Sequence, residues 1–320
     1  MPDASQPSAV SESFVVSESF VVAIVGPTAT GKSDLAVALA QRVAGEIINA
    51  DSMQLYVGMD VGTAKLPPAR RGGIPHHLLD VWPIDKSAAV AEYQALARHK
   101  IGEISARGRT PVLVGGSGLY VRGALDHLEF PGESPQIRAR LYAELAAVGA
   151  LRLHGRLAAL DPAAAAAILP TNGRRIVRAL EVIELTGGPF TATMPGFESV
   201  YPTIFIGLDR ADLDARVAER VQAMMAEGFL DEVRGLLPAG LRHSPTAGKA
   251  LGYAQLLDCI DDSGALRSDL DAAIESTVRA TRRFVRRQRS WFRRDPRIQW
   301  LDAADPGLVD VAAGLLANTL

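Results

Sequence analysis

Gly26-Pro27-Thr28-Ala29-Thr30-Gly31-Lys32-Ser33 matches the phosphate-loop pattern G-x-x-x-x-G-K-[ST] at every fixed position. Its flanks fit the same reading. Phe20-Val21-Val22-Ala23-Ile24-Val25 is short, apolar and β-branched, as a buried parallel strand requires, and Asp34 to Ala44 has the pattern of a helix. In such a strand-loop-helix unit the loop amides converge on an anion at the positive end of the helix. Lys32 is then placed to neutralise a terminal phosphate, and the Ser33 hydroxyl suits a magnesium ion. The unit predicts an α/β fold with a parallel-sheet core like that of the phosphate-loop NTPases.

The loop leaves open which phosphate compound it holds. Enzymes that act on nucleoside triphosphates usually place an Asp after a second apolar strand to hold magnesium. The matching strand here, Thr110-Pro111-Val112-Leu113-Val114, ends in Gly115-Gly116-Ser117-Gly118 and has no carboxylate. A metal at this site therefore has fewer protein ligands than a kinase provides.

Composition bounds the rest. With 320 residues, 48% hydrophobic and 22% charged, the chain can bury a full core and has room for about two domains. A single cysteine, Cys259, excludes an internal disulfide framework and fits a reducing cytoplasm. No run approaches the roughly 18 apolar residues of a membrane span, and the N-terminus lacks the basic start of a secretory signal. The net charge of −2 argues against a nucleic-acid partner only if charge is evenly spread.

It is not evenly spread. Arg279 to Arg297 holds nine arginines with Phe284, Trp291 and Phe292 among them, and no acidic residue before Asp295. A helix so one-signed repels itself, and an RNA phosphate backbone is the natural counter-charge. Three further arginines, Arg174, Arg175 and Arg178, open an earlier helix.

Along the chain, residues 1–18 read as a disordered tail. SESFVV at Ser11–Val16 is repeated at Ser17–Val22, and the second copy supplies the first strand. Glu46 to Ala50 reads as a second strand ending on Asp51-Ser52. Ligands of open α/β sheets gather beyond the carboxyl ends of the strands, so Asp51 is a base candidate. Met53 to Lys65 reads as a functional loop, with Lys65 a candidate second phosphate ligand. His76-His77 has no metal-ligand spacing and is assigned to packing. From Pro135 to Leu185 several helices are broken at Asp161-Pro162 and Pro170-Thr171-Asn172-Gly173. The domain reading is a core of 19–130 and 200–320, with an inserted helical subdomain at 131–199. Strand character returns at Tyr201 to Leu208, and helices are expected to follow it to near the end.

In order, GPTATGKS, INADSMQLYVGMDVGTAK, VLVGGSGLY, NGRRIVRALEV, AGKALGYAQ and RRQRSWFR resemble the tRNA dimethylallyltransferases, also called tRNA isopentenyltransferases. The resemblance spans about residues 20 to 300. It implies that Gly26, Pro27, Thr28, Ala29, Thr30, Gly31, Lys32 and Ser33 hold the diphosphate of dimethylallyl diphosphate. The implied acceptor is N6 of the adenosine 3′ of the anticodon, in tRNAs reading codons that begin with U. Asp51 becomes the catalytic base, with Ser33 and Arg220 beside the leaving diphosphate and Mg2+ near Ser33. The anticodon stem-loop contacts it implies are Asp51, Ser52, Met53, Gln54, Ser117, Arg138, Arg174, Arg175, Ile176, Val177, Arg178, Lys249, Gly252 and Tyr253. The target base must leave its stack to react. A cytoplasmic monomer is expected.

Three other readings compete. An adenylate isopentenyltransferase acting on free nucleotide lacks a reason for the insertion and the arginines. A phosphate-loop small-molecule kinase lacks its acidic strand end. A non-catalytic RNA-binding protein has no use for Asp51 beside an intact phosphate loop.

Overall fold

The structure, a computed structural model, describes residues 20–191 and 194–317. Six parallel strands form one sheet in the order β3-β2-β4-β1-β5-β6: β1 Val21–Val25, β2 Gly45–Asn49, β3 His76–His77, β4 Thr110–Gly115, β5 Thr203–Asp209 and β6 Ile298–Asp302. The five residues of β1 are all buried, because helices cover both faces of a central parallel strand and leave no side chain to solvent. Val22 and Ile24 pack on one face with Leu35, Leu39 and Ala40 of α1 (Lys32–Arg42) and with Ala312 and Leu316 of α11 (Leu308–Ala317). Ala23 and Val25 face α2 (Val90–Ala106), α3 (Gly118–Leu125) and the C-terminal helices, with Tyr93, Ile101, Val121 and Leu125 in the shared core.

The chain leaves this core after Leu125 and returns at Val200, whose N–H donates to the Leu125 carbonyl at 2.7 Å. Between lie α4 (Pro135–Leu160), α5 (Pro162–Ala167) and α6 (Gly173–Thr186). They enclose a separate apolar core built on Leu141, Leu153, Leu157, Ile176 and Leu180. The helix breaks follow local chemistry: Asp161 accepts the Ala164 N–H to cap α5, and Asn172 accepts the Arg175 N–H to cap α6. At the neck, buried Asp126 is held by Arg122 at 2.6 Å and by Arg297 at 2.8 Å, and Arg297 also reaches Asp295 and Ser199.

After β5 come α7 (Leu213–Ala226), α8 (Phe229–Leu236), α9 (Tyr253–Cys259) and α10 (Leu270–Phe292). Past these helices lies a strand that the sequence reading did not single out, β6, which pairs with β5 from Phe205↔Ile298 to Asp209↔Asp302. Its edge position, half solvated, gives it none of the continuous apolar run by which the central strands are recognised. The tail through residue 18 and the first SESFVV copy lie outside the described residues; the end of the second copy is in β1.

Candidate functional site

The site forms beyond the carboxyl ends of β1, β2 and β4. After β1 the loop turns on itself: Lys32 Nζ donates to the Pro27 carbonyl at 2.5 Å and Thr30 Oγ1 to the same oxygen at 3.0 Å. After β2, Asn49 fixes the backbone of its neighbour: its Oδ1 accepts the Asp51 N–H at 2.9 Å and its Nδ2 donates to the Asp51 and Leu78 carbonyls, each at 3.0 Å. Asp51 Oδ1 accepts the Met53 N–H at 2.9 Å; among the described residues no hydrogen bond is made to Oδ2. After β4, Ser117 Oγ meets the Ser52 N–H and hydroxyl, each at 3.2 Å, joining two strand ends into one rim.

One member of this site was missed by sequence reasoning. Gln288, buried on α10, accepts the Thr28 N–H at 3.0 Å and donates to the Gly116 carbonyl at 2.9 Å. It ties the phosphate loop to the glycine end of β4, and a Cβ on Gly116 would stand 2.4 Å from its amide nitrogen. Gly116 therefore clears room for an amide from α10 beside the strand end where many phosphate-loop enzymes place a carboxylate, while Gly115 lets the Ala50 backbone approach.

Electrostatics single out four groups. Burial, then the Arg220 guanidinium, push the half-buried Lys32 ammonium down to about 7, with Asp51 pulling the other way. Burial also lowers Arg220, which Asp51 counters and Arg216 reinforces. Tyr93 and Tyr120 are raised by burial, with the Asp51 charge adding to each. Asp51 is thus the anion beside the Arg220 guanidinium, a lysine that titrates near neutrality and two neutral phenols.

Two cavities meet here. The first, of about 190 Å³, is lined by the phosphate loop with Asn49, Gln54, Gly116 and Gln288. The second, of about 420 Å³, is more apolar and runs between Met53, Val217, Met224, Phe229, Tyr253 and Phe284. Thr28, Asp51, Thr63 and Arg220 line both. This arrangement can hold a compound with a charged head and an apolar tail across the boundary, with a carboxylate at the joint. Residues 54–295 match the family model described as IPP transferase.

The chain belongs to the IPP transferase family. It is 62% identical to the tRNA dimethylallyltransferase of Thermobifida fusca over 305 residues, covering 93% of this chain and 94% of that one. Among solved structures it resembles the tRNA isopentenylpyrophosphate transferase of Bacillus halodurans, with a TM-score of 0.67, 40% identity, and coverage of 94% and 97%. A eukaryotic dimethylallyltransferase acting on tRNA aligns with a TM-score of 0.77 at 25% identity, covering 94% of this chain and 78% of that one.

In this IPP transferase the residues taken from the resemblance fall into separate places. Ser52, Met53, Ser117, Lys249, Gly252 and Tyr253 line the second cavity with Asp51, whereas Gln54 lines the first. Arg138, Arg174, Arg175 and Arg178 line an open groove on the inserted helices. There Glu181 is fully buried; burial alone would raise it, but the Ser134 N–H and the Arg178 and Arg138 guanidiniums hold it below the usual range. Within the run from Arg174 to Arg178, the Ile176 side chain is sealed in the apolar core and Val177, 1% exposed, lines the floor of the groove, so the arginines supply its exposed side chains. A helix turns its side chains through 100° per residue, so a contiguous run cannot face one partner.

Two further readings are corrected. Lys65 is no phosphate ligand: its buried ammonium pairs with Asp60 at 2.5 Å and Asp80 at 2.6 Å and donates to the Tyr56 carbonyl at 3.1 Å. The arginine helix is not one-signed in the fold. Arg289 grips Asp209 with two nitrogens, Arg293 joins it at 3.1 Å, Arg282 donates to the Asp214 carbonyl and Arg297 lies in the neck. The counter-charges come from other elements, which a reading of α10 alone does not see. Arg283 and Arg287 line the mouth of the second cavity, and Arg286 is exposed beside them. His76 bonds the Ile74 carbonyl and His77 the Glu46 carboxylate, and both line the first cavity. Among the described residues no helix is long and apolar enough to cross a membrane.

Proposed function

We propose that this IPP transferase moves the dimethylallyl group of dimethylallyl diphosphate to N6 of the adenosine 3′ of the anticodon, in tRNAs reading codons that begin with U, and releases diphosphate. The observation that carries it is Asp51 at the shared boundary of a phosphate cradle and a deep, mainly apolar pocket. The diphosphate lies in the cradle, the allylic carbon at the boundary and the extruded adenine in the pocket.

The C–O bond to diphosphate breaks as the new C–N bond forms, so negative charge gathers on the leaving group. Lys32, Arg220 and the loop amides stabilise that charge without reorganising. Adenine N6 is a weak nucleophile because its lone pair is delocalised into the ring. Asp51 accepts its proton as the C–N bond forms, and the Asn49 clamp with the Met53 N–H holds the carboxylate while leaving Oδ2 for that proton.

Magnesium fits as a helper. The Ser33 hydroxyl lines the cradle, and among the described residues no group of three or more His, Cys, Asp or Glu side chains gathers. An ion there would rest on Ser33, phosphate oxygens and water, which suits magnesium's habit of keeping several waters. When bound it supplies further neutralisation of the leaving diphosphate. We read the protein as a cytoplasmic monomer gripping the anticodon stem-loop with the groove on the inserted helices and the free arginines of α10.

The test is mass spectrometry of tRNA and of AMP after incubation with dimethylallyl diphosphate. A dimethylallyl mass added at the adenosine 3′ of the anticodon, with AMP unmodified, is expected. Modification of AMP alone assigns the chain to free nucleotides, and no transfer to either overturns the proposal.

A further inference from the structure

The second cavity has a wall whose position rests on one carboxylate that sequence reasoning did not select. Glu232, half-buried on α8, reaches across to the loop of 60–62. Its Oε2 accepts the N–H groups of Asp60 at 2.9 Å and Val61 at 2.6 Å; its Oε1 accepts the Gly62 N–H at 3.1 Å and the Tyr253 hydroxyl at 2.5 Å. Four donors on two separate stretches of chain thus converge on one side chain. The loop is held from its other side as well, since the Asp60 carboxylate pairs with buried Lys65.

What this clamp positions is part of the site. Gly62 is drawn so close to the wall that a Cβ there would stand 2.1 Å from the Phe229 ring and 2.6 Å from Tyr253. Phe229 and Tyr253 pack edge to face, with centroids 4.9 Å apart, and both line the second cavity. The next residue, Thr63, lies at the boundary of both cavities with Asp51, and its carbonyl accepts the Gln54 amide at 3.1 Å. From this geometry we infer that Glu232 is a positioning residue for prenyl transfer: by holding the 60–62 backbone and Tyr253 it fixes the wall formed by Gly62 and Tyr253, and through it the place of Thr63 beside the reacting centre. The inference rests on the proposed function, in which the adenine enters this cavity.

A neutral amide cannot reproduce the clamp. Glu232→Gln keeps the shape but turns one acceptor oxygen into an NH2 group that faces N–H or O–H donors, so the wall loosens by a fraction of an ångström or more. Displacements of that order cost up to about a hundredfold in rate. The experiment uses full-length protein, a tRNA substrate and dimethylallyl diphosphate, with single-turnover rates at saturating substrates and KM for each substrate. Glu232→Gln is expected to slow the single-turnover rate about ten- to a hundredfold, with KM for dimethylallyl diphosphate within about threefold of wild type. Tyr253→Phe should slow the wild type and have little further effect in the Glu232→Gln background, because the bond it removes is already broken. Gly62→Ala approaches the same wall from the loop side and should give the same kinetic pattern. A wild-type single-turnover rate in Glu232→Gln or in Gly62→Ala overturns the inference, as does a loss fully recovered by cooling below the melting transition. If the wild type itself transfers no dimethylallyl group, the underlying function is wrong; if it does and Glu232→Gln keeps pace, only the role of Glu232 is.

Discussion

On the proposed function, Lys32 should make donor binding a proton-coupled event above neutral pH. In the free protein its ammonium is held at about 7 by burial and by Arg220, against the pull of Asp51. A diphosphate in the cradle favours the charged form and returns the group toward the ordinary lysine range. Below pH 7 the ammonium already carries its proton, so affinity is flat. Above pH 7 each binding event must take a proton from solution, and Kd rises toward tenfold per pH unit. From pH 7 to pH 9 the expected weakening is about fiftyfold, or about 2.3 kcal/mol. The ligand does not imitate this trend, because a phosphate group with its second pKa near 6 is already ionised. Titration calorimetry of a non-reactive thio analogue of dimethylallyl diphosphate, in buffers of different ionisation enthalpy, measures both quantities. About half a proton should be taken up at pH 7 and nearly one at pH 8.5. Lys32→Met should bind weakly at every pH and show no slope. A flat Kd between pH 7 and 9 with no proton uptake would refute the reasoning.

The arginines of α10 should separate by role. Replacing Arg286 and Arg287 with Ala should lower the slope of log tRNA affinity against log salt by about 0.7 to 0.9 for each phosphate that they neutralise, with thermal stability unchanged. An unchanged slope removes them from the RNA interface. Asp209 is different: burial would raise it, but hydrogen bonds from Arg289, the Arg210 N–H and Arg293 hold it below the usual carboxylate range. A depressed carboxylate contributes stability that is present above the unfolded pKa and lost as pH falls through the folded one. Asp209→Asn should therefore cost about 2 kcal/mol in urea melts at pH 7 and progressively less below about pH 4. A deficit independent of pH contradicts the pairing. Gln288→Leu leaves the Thr28 N–H and the Gly116 carbonyl without their partner, a loss of about 1–3 kcal/mol. It should also raise KM for dimethylallyl diphosphate, and unaltered donor kinetics would show that the tie is only structural.

Legibility in the sequence follows how local the cause is. The phosphate loop, the central strands and the helix caps at Asp161 and Asn172 are readable because each depends on side chains within a few residues. β6 is not, since an edge strand is specified by the partner beside it rather than by its own alternation. Lys65 misleads for a similar reason: Asp60 is near in sequence, but Asp80, fifteen positions away, completes the buried pair. Arg289 and Arg293 look like RNA ligands until β5 brings Asp209 to them from about eighty residues away. Gln288 and Glu232 carry no sequence signal, as a lone amide or carboxylate on a helix is usually a surface residue. Their roles come from bonds to backbone groups 172 and 260 positions away for Gln288 and 170 to 172 for Glu232.

The most direct test of the account is the single-turnover rate of Asp51→Asn with tRNA and dimethylallyl diphosphate both saturating, read by rapid quench and mass spectrometry of the tRNA. Asn keeps the size of the side chain and can still accept the Met53 N–H, so fold and tRNA binding should survive. It cannot take the N6 proton, and loss of a general base costs about two to four orders of magnitude. The account predicts a rate lower by that amount with tRNA affinity intact. A single-turnover rate near wild type would show that Asp51 only shapes the turn after β2 and that the proton leaves by another route.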